Sequence, residues 1–172
     1  MSDESASITD PRFYSIRDAA FDDREEAGRL LAQDPTLIAV TNSIGETALH
    51  FLVVEDDRPS VEWLLERGAA IDTRNIFGAT PLMEVAYLGY LEMCEFLISR
   101  GADIEARKKN GGTALSEAAQ SGEQAVVEML LNRLPADTDI NTYFHPMMAE
   151  IVLDKGGAIA NLLESRGLRR QP

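Results

Sequence analysis

Cysteine occurs once in the chain, at Cys94. That excludes an intrachain disulfide framework and suits a reducing compartment. Histidine occurs twice, at His50 and His145, which leaves little material for histidine-based catalysis or metal binding. An excess of positive charge is also missing: 29 acidic side chains face 16 basic ones, for a net charge of −13. This argues against binding nucleic-acid backbones or anionic membrane surfaces, and favours basic partners. No apolar run approaches the roughly 18 residues of a membrane span. The opening segment Met1 to Asp10 is acidic and has no apolar core, so no secretory signal is read there. No Asn-x-Ser/Thr acceptor is present. These absences together make a cytoplasmic location the expectation. Hydrophobic content of 45% and charged content of 26% are ordinary for a globular protein. The 172 residues suffice for one ordinary domain or one short repeat array.

The chain is similar to itself at a period of 33. "GETALH" from Gly45, "GATPLM" from Gly78 and "GGTALS" from Gly111 align at that spacing. So do "LLERGAAI" from Leu64 and "LISRGADI" from Leu97. Single columns extend the period to both ends: Ile16, Leu49, Leu82, Leu115 and Met148, then Leu31, Leu64, Leu97, Leu130 and Leu163. The pairs Ala19-Ala20, Leu52-Val53, Val85-Ala86, Ala118-Ala119 and Ile151-Val152 form a third, small or apolar set. A fixed period of this length is the mark of a repeat architecture.

Each unit reads as two short helices and a loop. Thr80-Pro81 is a helix start, with Thr as cap and Pro at the first helical position. Gly89 and Gly122 end such first helices, where a left-handed backbone is needed. Second helices follow with apolar residues at 3–4 spacing, as in "LEMCEFLISRG", and end at Gly68, Gly101 and Gly167. A polar excursion such as "ADIEARKKNG" then leads to the next cap.

The chain resembles an ankyrin-repeat protein. The resemblance rests on Thr80-Pro81-Leu82 with Ala86, on Thr47-Ala48-Leu49-His50, and on Thr113-Ala114-Leu115 with Ala118. Gly68-Ala69-Ala70-Ile71 and Gly101-Ala102-Asp103-Ile104 add to it. It implies an all-α ankyrin-repeat solenoid of stacked helix-turn-helix units with projecting hairpin loops. Residues 10–168 are expected to form one repeat domain, with units near 10–42, 43–75, 76–108, 109–141 and 142–168. A disordered acidic N-terminus (1–9) and a C-terminal tail (169–172) flank it. The end units are degenerate, as the ends of a short array should be. Asp56-Asp57 stands where a glycine is usual, and the segment 134–145 is expected to be irregular.

Chemistry is scarce. The resemblance implies a structural hydrogen-bonding role for His50. His145 precedes Pro146 at a helix start. Cys94 shares a column with Gly28, Val61, Val127 and Ala160 and reads as a buried filler, and Trp63 likewise reads as core. "DTDIN" lacks the glycine and glutamate of a calcium loop and reads as a turn. "KKNGG" lacks the Walker spacing. No catalytic residue, metal ligand or cofactor is assigned.

The resemblance also says which columns meet a partner: loop tips and the ends of first helices, on the concave side. Those columns hold Ile44, Ile76, Phe77, Tyr87 and Leu88, an apolar cluster, with Arg74, Arg107, Lys108 and Lys109 as a basic stripe beside it. The expected function is a non-catalytic protein-interaction module using the concave face, either monomeric or paired through the apolar patch. The alternative is a small acidic immunity or inhibitor protein that neutralises a basic enzyme or toxin.

Overall fold

The computed structural model describes residues 10–170. The expected disordered segment 1–9 and residues 171–172 of the expected tail lie outside the described residues. Among the described residues there are ten α-helices, two short 3₁₀ helices and no strand. The chain divides into two compact units, Met1–Pro81 and Leu82–Pro172. The first holds α1 (Pro11–Asp22), α2 (Arg24–Gln33), α3 (Ala48–Val54) and α4 (Arg58–Glu66). Helix α5 (Pro81–Leu88) starts at its last residue. The second unit holds α6 (Leu91–Ser99), α7 (Ala114–Ser121), α8 (Gln124–Arg133), α9 (Pro146–Lys155) and α10 (Gly157–Ser165).

Local chemistry explains most helix boundaries. Asp10, Asp23 and Asp57 cap α1, α2 and α4 through their carboxylates. Thr113 and Ser116 satisfy each other's backbone at the start of α7, as a capping box does. Pro81 opens α5 as its sequence predicts, but the Thr80 hydroxyl is buried and makes no hydrogen bond. The expected capping bond is therefore absent, and the hydroxyl is buried without a partner.

In the first column Ile16, Leu49, Leu82 and Leu115 are buried and Met148 is half-buried; in the second Leu64, Leu97, Leu130 and Leu163 are buried and Leu31 is half-buried. The column of Trp63 is different. Leu30, Trp63, Met129 and Leu162 are only half-buried, and Phe96 alone is fully covered. Trp63 thus lies on the flank of its helix rather than in the core. The Arg67 guanidinium covers the ring at 3.8 Å and donates to the Trp63 carbonyl.

Helices α3, α5 and α7 start 33 residues apart, at Ala48, Pro81 and Ala114. The next start should be 147, yet α9 begins at Pro146. Along α9 the buried face also falls one residue later in the repeat register than in α3, α5 and α7. Leu153 becomes buried, although its column mates Val54 and Tyr87 are exposed, and Ile151 becomes exposed. The expected small-or-apolar core pair Ile151-Val152 therefore contributes only Val152 to the core. Just upstream, a 3₁₀ helix, Ile140–Tyr143, capped by Asp139, stands at the place of the hairpin.

Asp56 has φ 56, the one non-glycine positive φ among the described residues. It stands in the column where Gly89 and Gly122 take the same left-handed conformation. A side chain there is strained by roughly 1–2 kcal/mol, less for Asp than for most residues. Asp56→Gly is expected to raise folding stability by about 0.5–1 kcal/mol, measured by urea unfolding.

Candidate functional site

The loops that carry the predicted contact residues are built by a repeated device. The Asn42 carboxamide oxygen accepts from the N–H groups of Ile44 and Glu46, at 3.0 and 2.9 Å. Asn75 does the same for Phe77 and Ala79, at 3.0 and 3.1 Å. The main chain closes each loop as well, from Asn42 N–H to the Glu46 carbonyl and from Asn75 N–H to the Ala79 carbonyl. These two asparagines were not singled out in the sequence, although their 33-residue separation was a usable signal. The turn glycine between them and the cap, Gly45 or Gly78, takes φ 78 or 79.

Within the first unit, the Ile76 N–H donates to the Ile44 carbonyl at 2.9 Å. That bond sets two loop tips side by side. With the backbone polar groups satisfied internally, the side chains turn outward: Ile44, Ile76 and Phe77 are 37%, 46% and 56% exposed. Tyr87 and Leu88 close α5 and are 49% and 39% exposed, while Val85 and Ala86 just before them are fully buried.

The basic residues behave otherwise. Arg74 donates to the Gly78 carbonyl at 3.1 Å, across its own loop. Arg107 donates to the Thr142 carbonyl and lies 5.4 Å from the Tyr143 ring centre. Lys108 is 3.2 Å from the Glu117 carboxylate, with both side chains largely covered. Lys109 is exposed at its loop tip. Three of the four cations therefore brace loops within the chain.

His50 is buried and joins two repeats of the first unit. Its Nδ1 accepts from the Thr47 N–H at 3.2 Å. That assigns the ring proton to Nε2, which lies 3.5 Å from the Ala79 carbonyl. Burial is the main cause that holds its pKa below the ordinary 6.5; the Ala79 contact and Glu46 oppose it. Stability from neutral His50 is present above about pH 6.5 and is lost as pH falls below that value towards the folded-state pKa. His50→Gln should flatten this acid slope above the range where carboxylates titrate. Unfolding free energies measured across that range check it, and an unchanged slope would count against the assignment.

Cys94 is fully buried, and burial pushes its thiol pKa up to about 12. A protonated thiol without access to solvent is no nucleophile. Among the described residues, no group of three His, Cys, Asp or Glu side chains is placed to hold a metal ion. None of the described helices is long and apolar enough to cross a membrane.

Short paired helices and asparagine-braced loops define a helical-repeat protein. The family model described as "Ankyrin repeats (3 copies)" matches residues 49–143, more than half of the chain. The chain belongs to the ankyrin-repeat family, whose repeats are generally protein–protein interaction modules.

Proposed function

We propose that this chain is a non-catalytic protein-binding module whose concave-side columns contact the partner. The observation that carries the reading is the contrast between Phe77, Tyr87 and their neighbours. Phe77 and Tyr87 are half-exposed where flanking residues of the same repeats are buried. Large aromatic side chains held outward by a rigid scaffold are typical anchors of an interface. In the first unit Ile44 and Ile76 stand exposed with Phe77 at the loop tips, and in the second Leu88 stands exposed beside Tyr87 at the end of α5. Arg74 and Arg107 act mainly as loop braces, and Lys109 supplies an accessible charge. The covered Cys94 and the structural His50 favour a binding role over catalysis. The lone buried thiol also fits a reducing, cytoplasmic setting.

The test is capture of the natural partner by Phe77→Ala/Tyr87→Ala. Both residues are exposed, so the fold should survive. Capture is expected to fall at least about tenfold, in line with the loss of two aromatic anchors. Unchanged capture by the folded double variant would remove this surface from consideration. The reading as an acidic inhibitor of a basic protein is favoured by one observation, the concentration of negative charge in residues 1–81, with sixteen acidic and seven basic side chains. Tight association that weakens steeply with salt would support it.

A further inference from the structure

We propose that an exposed strip along α1 and α3 of the first unit docks a basic amphipathic helix, one with bulky apolar side chains on one face flanked by Lys or Arg. This names a partner class for the interaction reading above and rests on it.

The two helices end in the same pattern, an apolar residue followed by an acid: Phe21-Asp22 and Val54-Glu55. Each helix buries the residues before that pair, Ala19-Ala20 and Leu52-Val53. Phe21 and Val54 nevertheless remain 42% and 38% exposed. The Phe21 ring meets Phe51 edge-on at 6.1 Å, so the strip is continuous across both helices. Tyr14, seven residues before Phe21, lies on the same face of α1 and is also exposed.

The rim is acidic. Asp18, Asp22, Glu55 and Asp56 are exposed, and neither Asp22 nor Glu55 has an ion pair among the described residues. The chain's own Arg17 shows how this surface receives a cation. Its guanidinium lies 4.9 Å from the Tyr14 ring centre and 4.8 Å from that of Phe51. The Asp18 carboxylate is 2.6 Å away. Aromatic faces and a carboxylate thus hold one guanidinium already, and unpaired carboxylates with an exposed ring and an exposed valine lie beyond it.

Charge complementarity chooses the occupant. An acidic rim repels nucleic acid and anionic lipid, and an apolar strip between acids matches an apolar stripe between bases. Exposed charge pairs are individually weak, so Phe21 and Val54 supply the affinity and the carboxylates select the sign.

The probe is a labelled helical peptide of about five turns, made of Leu and Lys with the leucines on one face. Its control is a scrambled peptide of the same composition, and both are titrated into the full chain by fluorescence anisotropy. The patterned peptide should bind at least about tenfold tighter than the scrambled one, and Phe21→Ser or Val54→Ser should weaken it about tenfold. Asp22→Asn/Glu55→Gln removes no apolar contact and should weaken binding about threefold at low ionic strength, less in high salt. Equal binding of both peptides, no binding, or indifference to every strip variant overturns the proposal. So does a concentration-dependent dimer in sedimentation that Phe21→Ser abolishes, because the occupant would then be a second copy.

Natural-partner capture separates the two readings. Capture that needs Phe77 and Tyr87, without peptide binding, overturns the strip and leaves the interaction reading standing. Peptide binding that needs Phe21, with capture insensitive to Phe77→Ala/Tyr87→Ala, overturns the earlier placement and leaves the strip.

Discussion

Tyr143→Ala is expected to lower folding stability by about 3–5 kcal/mol, the range for removing a buried aromatic ring. Tyr143 is 2% exposed and plugs the place where other repeats carry a hairpin. Its carbonyl accepts from the Thr113 hydroxyl at 3.0 Å, and its own hydroxyl donates to the Glu105 carboxylate. Arg107 lies over the ring and is tied to the adjacent Thr142 carbonyl. Truncation would leave a cavity and loosen the 3₁₀ helix Ile140–Tyr143. Tyr143→Phe keeps the ring and should cost only about 1 kcal/mol, since Glu105 is exposed and regains water.

Urea unfolding of both variants checks the contrast, and equal losses would show that the hydroxyl, not the ring, dominates. The same hydroxyl gives an alkaline signature. Burial first, then the Glu105 bond, push its pKa from the ordinary 10 up to about 12. Its contribution is complete below pH 10 and is lost as pH rises towards about 12. Tyr143→Phe should remove that part of the alkaline slope.

Gly45→Ala should cost about 2–4 kcal/mol, combining left-handed strain of roughly 1–2 with an overpacking term of similar size. Gly45 has φ 78, and a Cβ there would stand 3.1 Å from the Ile76 nitrogen and 3.3 Å from the Asn75 Cα. Both neighbours are main-chain atoms, and the Ile76 nitrogen is already bonded to the Ile44 carbonyl. Neither can rotate out of the way. Gly111 provides the control: its φ is 83, but a Cβ there would meet nothing within 4 Å. Gly111→Ala should therefore cost only the strain, about 1–2 kcal/mol. Thermal or urea unfolding of the pair decides the matter, and equal losses would discount the loop-to-loop contact. Because Ile44 and Ile76 flank that contact, Gly45→Ala should also weaken partner capture more than Gly111→Ala does.

Much of the candidate site was legible from sequence, but unevenly. The exposure of Ile44, Ile76, Phe77, Tyr87 and Leu88 follows from local geometry, because each lies in or just before a glycine turn, at Gly45, Gly78 or Gly89, set within a few residues. The roles of Arg74 and Arg107 were not legible. A guanidinium on a flexible stem takes whichever carbonyl is within reach. For Arg107 that carbonyl belongs to Thr142, 35 residues away, in a segment with no repeat pattern. Phe21 and Val54 each follow a small or apolar pair of the repeat, Ala19-Ala20 and Leu52-Val53, yet the edge-on contact of Phe21 with Phe51 depends on how α1 lies against α3.

The sequence by itself determined the period, the family resemblance, and most helix starts and stops. Those features rest on short-range physics: an aspartate reaching an N–H two or three residues ahead, a proline with a fixed φ, a glycine free to turn left-handed. Periodic apolar residues then repeated the same local choices unit after unit. Only the tertiary structure decided where the period slips. The burial of Leu153, the flank position of Trp63 and the plug formed by Tyr143 arise from volume filling and hydrogen bonding between segments distant in the chain. No local rule encodes them, because which side chain fills a gap depends on the neighbours that leave it.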